Sequence, residues 1–134
     1  EALKHCFRAF RSYEIRLSLT SNKKNSEIVP EMARLQVADD FDNMRCYEDV
    51  NELKPSSEMH QLSMDMLGVK AIRTVAFETN LEGLKAAKRA GIFCVGTPEL
   101  EGHADLVLKS VLEGSLLQML ENIDRLKRIG MTMV

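Results

Sequence analysis

The stretch TVAFETNLEGLKAAKRAGIFCVG, Thr74 to Gly96, constrains the fold more than any other part of the chain. It has the pattern of one βαβ unit. Thr74–Phe77 is short and mostly apolar, as a buried strand requires, and Glu78, Thr79 and Asn80 follow where the strand gives way to a loop. Over Glu82–Ala90 the spacing predicts a helix in which Leu84, Ala87 and Ala90 share a buried side. Gly91 falls where a left-handed stop is expected, and Ile92–Val95 reads as the next strand. In open α/β sheets ligands sit at the carboxyl ends of the strands, so residues 78–80 are the first place to look for chemistry.

The remaining elements fit an α/β reading. Glu1–Tyr13 is an amphipathic helix with Leu3, Cys6, Phe7 and Phe10 on one side. A chain that opens directly on a helix, without an initiator methionine or a signal peptide, is expected to be a fragment or a processed product. Ile15–Thr20 alternates as a half-buried strand, with Ser21 and Asn22 at its carboxyl end. A helix is expected from Asn25 or Ser26, with Pro30 tolerable only near its start and Met32, Leu35 and Val37 packing beyond it. Asn43–Tyr47 is a further short strand. Pro55 pushes Lys54 towards an extended conformation, and a helix follows over about Ser57–Leu67, ended by Gly68. Met59, Leu62, Met64, Met66 and Leu67 of that helix are expected in the core, and His60 is read as an ordinary helix-face residue. Ala104–Leu108 is a last strand, and Leu112 to about Ile129 a terminal amphipathic helix.

Composition narrows the function classes. The 134 residues, taken as one domain over 1–134, suit a single core. A net charge of −2 gives no electrostatic argument for nucleic acid or an acidic membrane as partner. No apolar run approaches the roughly 20 residues of a membrane span. Cys6, Cys46 and Cys94 are far apart and flanked by apolar residues, as buried thiols of a reducing, cytoplasmic compartment would be. There are no internal repeats, glycine-rich phosphate cradles or clustered Cys/His ligands.

One family resemblance runs through these elements. The pattern F-E-x-x-x-x-G-x-x-A-A-x-x-A-G, Phe77 to Gly91, resembles the fourth motif of the haloacid dehalogenase superfamily, in its β-phosphoglucomutase-like branch of phosphatases and phosphomutases. K-P-x-x-x-x-H, Lys54 to His60, is similar to the third motif. Y-E-I-R-L-S-L-T-S-N, ending at Asn22, is similar to the stretch that leads into the second. The likeness covers about residues 1–112. It implies a Rossmann-like three-layer α/β/α sandwich with a mainly parallel sheet. It also implies a Mg²⁺-dependent reaction through an aspartyl-phosphate, on a small phosphorylated metabolite. Ser21 and its neighbour Asn22 would bind phosphate. Lys54 would be the catalytic lysine that neutralises nucleophile and phosphate, and Glu78 and Thr79 would stand at the metal. These residues lie on three strand-to-helix connections, and the family fold would bring them to one edge of the sheet.

Two departures qualify that expectation. The first motif, D-x-D-G-[TV] on a central strand, is absent from the sequence. Asp40-x-Asp42 spells two of its letters, but Val37-Ala38-Asp39 makes no strand before it; the run matches a D-x-F-D linker with Phe41 as a core plug, so these aspartates are not read as catalytic. The chain alone is therefore not expected to perform aspartyl-phosphate chemistry. Second, Thr79 occupies the position where the branch carries a metal-binding Asp, so Mg²⁺ should bind weakly or not at all. The strand missing between Ile15–Thr20 and Thr74–Phe77 would leave unpaired edges. They would be filled by an N-terminal segment or a second copy, or closed by direct pairing of the two strands. A catalytically inactive binding or scaffold domain on the same fold is the alternative reading, and a generic flavodoxin-like module would leave Ser21, Lys54 and Glu78 apart.

Overall fold

Helices α1 (Ala2–Ser12), α2 (Asn25–Arg34), α3 (Glu58–Leu67) and α4 (Leu81–Arg89) alternate with short strands β1 (Ser18–Thr20), β2 (Asn43–Arg45), β3 (Val75–Glu78), β4 (Phe93–Gly96) and β5 (Leu106–Val107). This computed structural model describes residues 2–107, without the side chains of Ala2, Leu3 and Cys6. The terminal helix expected over Leu112–Ile129 lies outside the described residues, as do the packing expected of Leu3 and Cys6 and the end of the last strand at Leu108. Every strand pairing among the described residues is parallel. β1 pairs with β2, and β3, β4 and β5 lie side by side in that order.

Two apolar clusters cover opposite faces of β3 and β4, because successive strand residues point to opposite sides. Val75 and Val95 join Phe10 of α1, Ile15 and Leu17 in one cluster. Ala76 and Cys94 join Leu84 and Ala87 of α4 and Met64 of α3 in the other. The result is a Rossmann-like α/β/α arrangement, as expected. Phe41 packs against the first cluster and meets Phe7 edge-on, ring centroids 5.1 Å apart, which is the plug role read for it.

The four α-helices of the described residues end in the same hydrogen-bond pattern. The amide two residues past the last turn reaches back over it: Ile15 to the Phe10 carbonyl, Val37 to Met32, Val69 to Met64 and Ile92 to Ala87. The residue before each of these has a positive φ. Gly68 and Gly91 supply it for α3 and α4, at 67° and 75°, while Glu14 and Gln36 adopt 60° and 57° after α1 and α2. An apolar side chain follows in every case, and Ile15, Val37 and Ile92 are buried.

β2 and β5, each at one edge of its sheet, are entered through an aspartate. Asp42 donates its amide to the Leu17 carbonyl and accepts the Leu17 amide on Oδ2, at 2.7 and 2.8 Å. Asp105 does the same with Cys94, at 3.0 and 2.8 Å. Strands of two or three residues bury too little to fix their own register, and these paired contacts pin it.

Several expectations are corrected. The strand read over Ile15–Thr20 begins only at Ser18, because Ile15 is still closing the end of α1. The strand over Asn43–Tyr47 stops at Arg45, and Tyr47 starts a 3₁₀ turn. Pro30 sits at the sixth position of α2, past the tolerant first turn, and removes one intrahelical bond there. Met66 is 63% exposed rather than in the core. The two sheets are not hydrogen-bonded to each other, so β1 and β3 have not closed up into direct pairing. Their edges stay unpaired among the described residues, and Phe77 on β3 is 40% exposed.

Candidate functional site

The carboxyl ends of β1 and β3 meet across one lysine. The Lys54 ammonium donates to the Thr20 carbonyl at 3.2 Å and to Glu78 Oε1 at 2.9 Å. Side-chain exposures of 8% for Lys54 and 7% for Glu78 make this a buried pair, where an unpartnered charge would be costly. Ser21 follows directly on Thr20. Its hydroxyl oxygen accepts the Lys23 amide at 3.1 Å, and its amide donates to the Arg45 carbonyl at 3.0 Å. The hydroxyl hydrogen has no acceptor among the described residues. Asn22 lies against the backbone of Lys54.

Glu78 owes its place to the local chain. The strand alternation of β3 turns Ala76 and Glu78 towards α4. Asn80 then caps α4, its Oδ1 accepting the Gly83 amide at 2.9 Å, so the first turn of the helix stands close to the carboxylate. A β-carbon on Gly83 would collide with Glu78 Oε2 and Cδ, which explains a glycine five residues after the glutamate.

His60 completes the cluster, and the sequence reading missed it. The residue is 3% exposed, and its Nε2 lies 2.9 Å from the same Oε1 that Lys54 contacts. A signal was present: His60, Ser63, Met64 and Leu67 follow helical spacing and form the buried stripe of α3. Burial pushes the Glu78 carboxyl up, but the hydrogen bond from His60 and the charge and hydrogen bond of Lys54 outweigh it and hold the group below its ordinary value.

The metal positions are less well provided. Glu78 Oε1 already accepts from two donors, and Oε2 faces Gly83. Thr79 is exposed, neutral, and its carbonyl accepts from the Thr97 hydroxyl at 3.4 Å. No three His, Cys, Asp or Glu side chains among the described residues are grouped to hold a metal ion. A hard divalent cation wants several oxygen ligands, so this set does not fit one.

Other features are set aside on chemistry. Cys46 and Cys94 are buried free thiols, and burial pushes Cys94 up to about 12, which leaves it protonated and unreactive. An open depression of about 590 Å³ beside Ile72, Lys88, Phe93 and Asp105 lies at the amino end of β4, away from the Lys54 cluster. No helix of the described residues is long and apolar enough to cross a membrane.

Known proteins identify the family and the fold. The family described as haloacid dehalogenase-like hydrolase matches residues 1–97. YhcW of Bacillus subtilis is 30% identical over 123 residues, covering 87% of this chain and 56% of that protein. The phosphorylated carbohydrates phosphatase of Thermotoga maritima is 33% identical over 82 residues, 61% of this chain and 38% of the relative. The crystal structure of β-phosphoglucomutase from Clostridium difficile superposes with a TM-score of 0.76 at 25% identity, over 92% of this chain and 56% of that one. The chain thus spans about half the length, or less, of the curated relatives it matches. With its parallel sheets, its Lys54–Glu78 pair and a family match over most of its length, the chain belongs to the haloacid dehalogenase-like hydrolases.

Proposed function

We propose that this chain forms the phosphate-handling side of a phosphoryl-transfer site acting on small phosphorylated metabolites. Phosphorylated carbohydrates are the class to try first, by the name of the Thermotoga maritima relative. The observation that supports this reading is the Lys54 ammonium held between the end of β1 and Glu78 of β3, one residue from the Ser21 hydroxyl. A buried cation at the strand end that the Ser21 hydroxyl follows suits a phosphate oxygen, and Glu78 holds the lysine paired and oriented. Ser21 would donate to a second phosphate oxygen. The nucleophile is not among these residues, so the aspartyl-phosphate step and its Mg²⁺ belong to the whole protein if it is active.

Titrating inorganic phosphate into the 134-residue chain, followed by amide NMR shifts, tests the reading. Shifts should concentrate at Ser21, Asn22 and Lys54, and in Lys54→Met they should need a much higher phosphate concentration. Shifts spread over the surface, or none at all, would sink it. Mg²⁺ added to the same sample should bind weakly by calorimetry, and Thr79→Asp should strengthen that binding. The second reading, a non-catalytic binding or scaffold domain, is favoured by one observation: the carboxylate of Glu78 is already taken by Lys54 and His60. A Thr79→Asp chain that gains no Mg²⁺ affinity would support that alternative.

A further inference from the structure

The segment carrying Lys54 pairs with no strand among the described residues, yet its backbone is bonded as though it did. Asn22 accepts the Lys54 amide on Oδ1 at 2.8 Å and donates from Nδ2 to the Lys54 carbonyl at 3.0 Å. A carboxamide carries the same donor and acceptor as a peptide group, and this exchange of both bonds is what an antiparallel strand neighbour would supply. Only one orientation of the amide satisfies both contacts, so the network itself assigns it. The flanking groups are held as well. Arg89 of α4 donates to the Pro55 carbonyl at 3.0 Å, and the Ser56 amide donates to Leu53 at 2.9 Å. Asn22 is the contact that ties the lysine to the loop after β1, the loop that also carries Ser21.

We propose that Asn22 is a positioning residue: its side chain sets the backbone of Lys54, and through it the aim of the ammonium, and is not itself a phosphate ligand. The link to phosphate rests on the function proposed above; the setting of Lys54 does not. Two residues, Thr20 at the end of β1 and Asn22 in the loop after it, then fix the lysine at both ends, the carbonyl of Thr20 at its ammonium and the amide of Asn22 at its main chain.

Amide hydrogen exchange on the full chain decides the structural claim. Asn22→Ala should speed exchange of the Lys54 amide about tenfold or more, the equivalent of one lost hydrogen bond, while the amides of β4 keep their rates. Asn22→Asp retains an acceptor for that amide and should restore most of the protection; this rescue also covers the case in which the alanine variant folds poorly. Unchanged exchange at Lys54 in both variants overturns the proposal. Inorganic phosphate then separates positioning from ligation. Asn22→Ala should weaken phosphate binding, and Asn22→Ala with Lys54→Met should bind no more weakly than Lys54→Met alone. A further loss in the double variant would make Asn22 a ligand and overturn the positioning role. If phosphate fails to bind the unaltered chain, the proposed function falls, while the exchange rates and their rescue still decide how Lys54 is held.

Discussion

Helices α3 and α4 stop on Gly68 and Gly91, whereas α1 and α2 make the same stop on Glu14 and Gln36. The backbone turns identically in the two halves of the molecule, but only the second half uses the residue that does so without strain. A side chain in the left-handed region costs about 1–2 kcal/mol. The first half tolerates that cost because Ile15 and Val37, the residues just beyond, are buried at 5% and 2% exposure. Local chemistry therefore specifies the β3–α4–β4 half, with its capping Asn80 and its glycine stops. The β1–β2 half leans on packing and on contacts from a distance, such as Arg11 to the Asp39 and Asp40 carbonyls and Lys4 to Gln36.

The sharpest test of this contrast cuts the tie between the halves. Glu78→Gln leaves the Lys54 ammonium buried without its counter-charge, and urea unfolding should register a loss of about 3–5 kcal/mol. Exchange protection should fall first in Ser18–Thr20 and Asn43–Arg45, and later in Val75–Glu78. Equal loss in both halves would break the comparison. The pH arm has a fixed sign. Because the folded-state carboxyl of Glu78 is held below its ordinary 4.5, its contribution is complete above that pH and disappears as pH falls through the folded value. The advantage of the unaltered chain over Glu78→Gln should therefore shrink on acidification below about 4.5, and a constant difference would contradict the origin assigned to it.

Smaller effects separate the helix stops. Gly91→Ala should cost about 1–2 kcal/mol from backbone conformation alone, since the added carbon would meet the Ala71 side chain at an ordinary 3.7 Å. Gln36→Gly should act in the opposite direction and raise stability by about 0.5–1 kcal/mol, as the strain removed exceeds the freedom gained by the unfolded chain. Thermal unfolding of the two single variants reads both signs. A destabilised Gln36→Gly would mean that the glutamine side chain contributes more than its conformation costs.

What could be read from residues alone follows the same division. The βαβ unit, the Gly68 and Gly91 stops, and the order of helices and strands rest on neighbours in sequence, and they were legible. The meeting of Lys54 with Glu78 was expected only through the family resemblance, because no spacing rule links residues on separate connections. His60 was passed over although the stripe Ser63, Met64, Leu67 includes it, because a polar residue on an apolar stripe declares itself only when its partner is known. The shortened first strand and the bonds from Asn22 to Lys54 depend on residues not adjacent in sequence, where periodicity carries no information.

The paired aspartate contacts at the edge strands also bear on the order in which the chain assembles. Asp105 closes on Cys94 across 11 residues, and Asp42 closes on Leu17 across 25. Chain entropy favours the shorter closure by about 0.7 kcal/mol, before any difference in packing is counted. The longer loop must also carry α2 with its interior proline, whereas the shorter one holds only β4 and a single 3₁₀ turn. Nucleation should accordingly begin in the second half of the molecule. Substitutions at Asp105 would then slow folding, while those at Asp42 would chiefly speed unfolding.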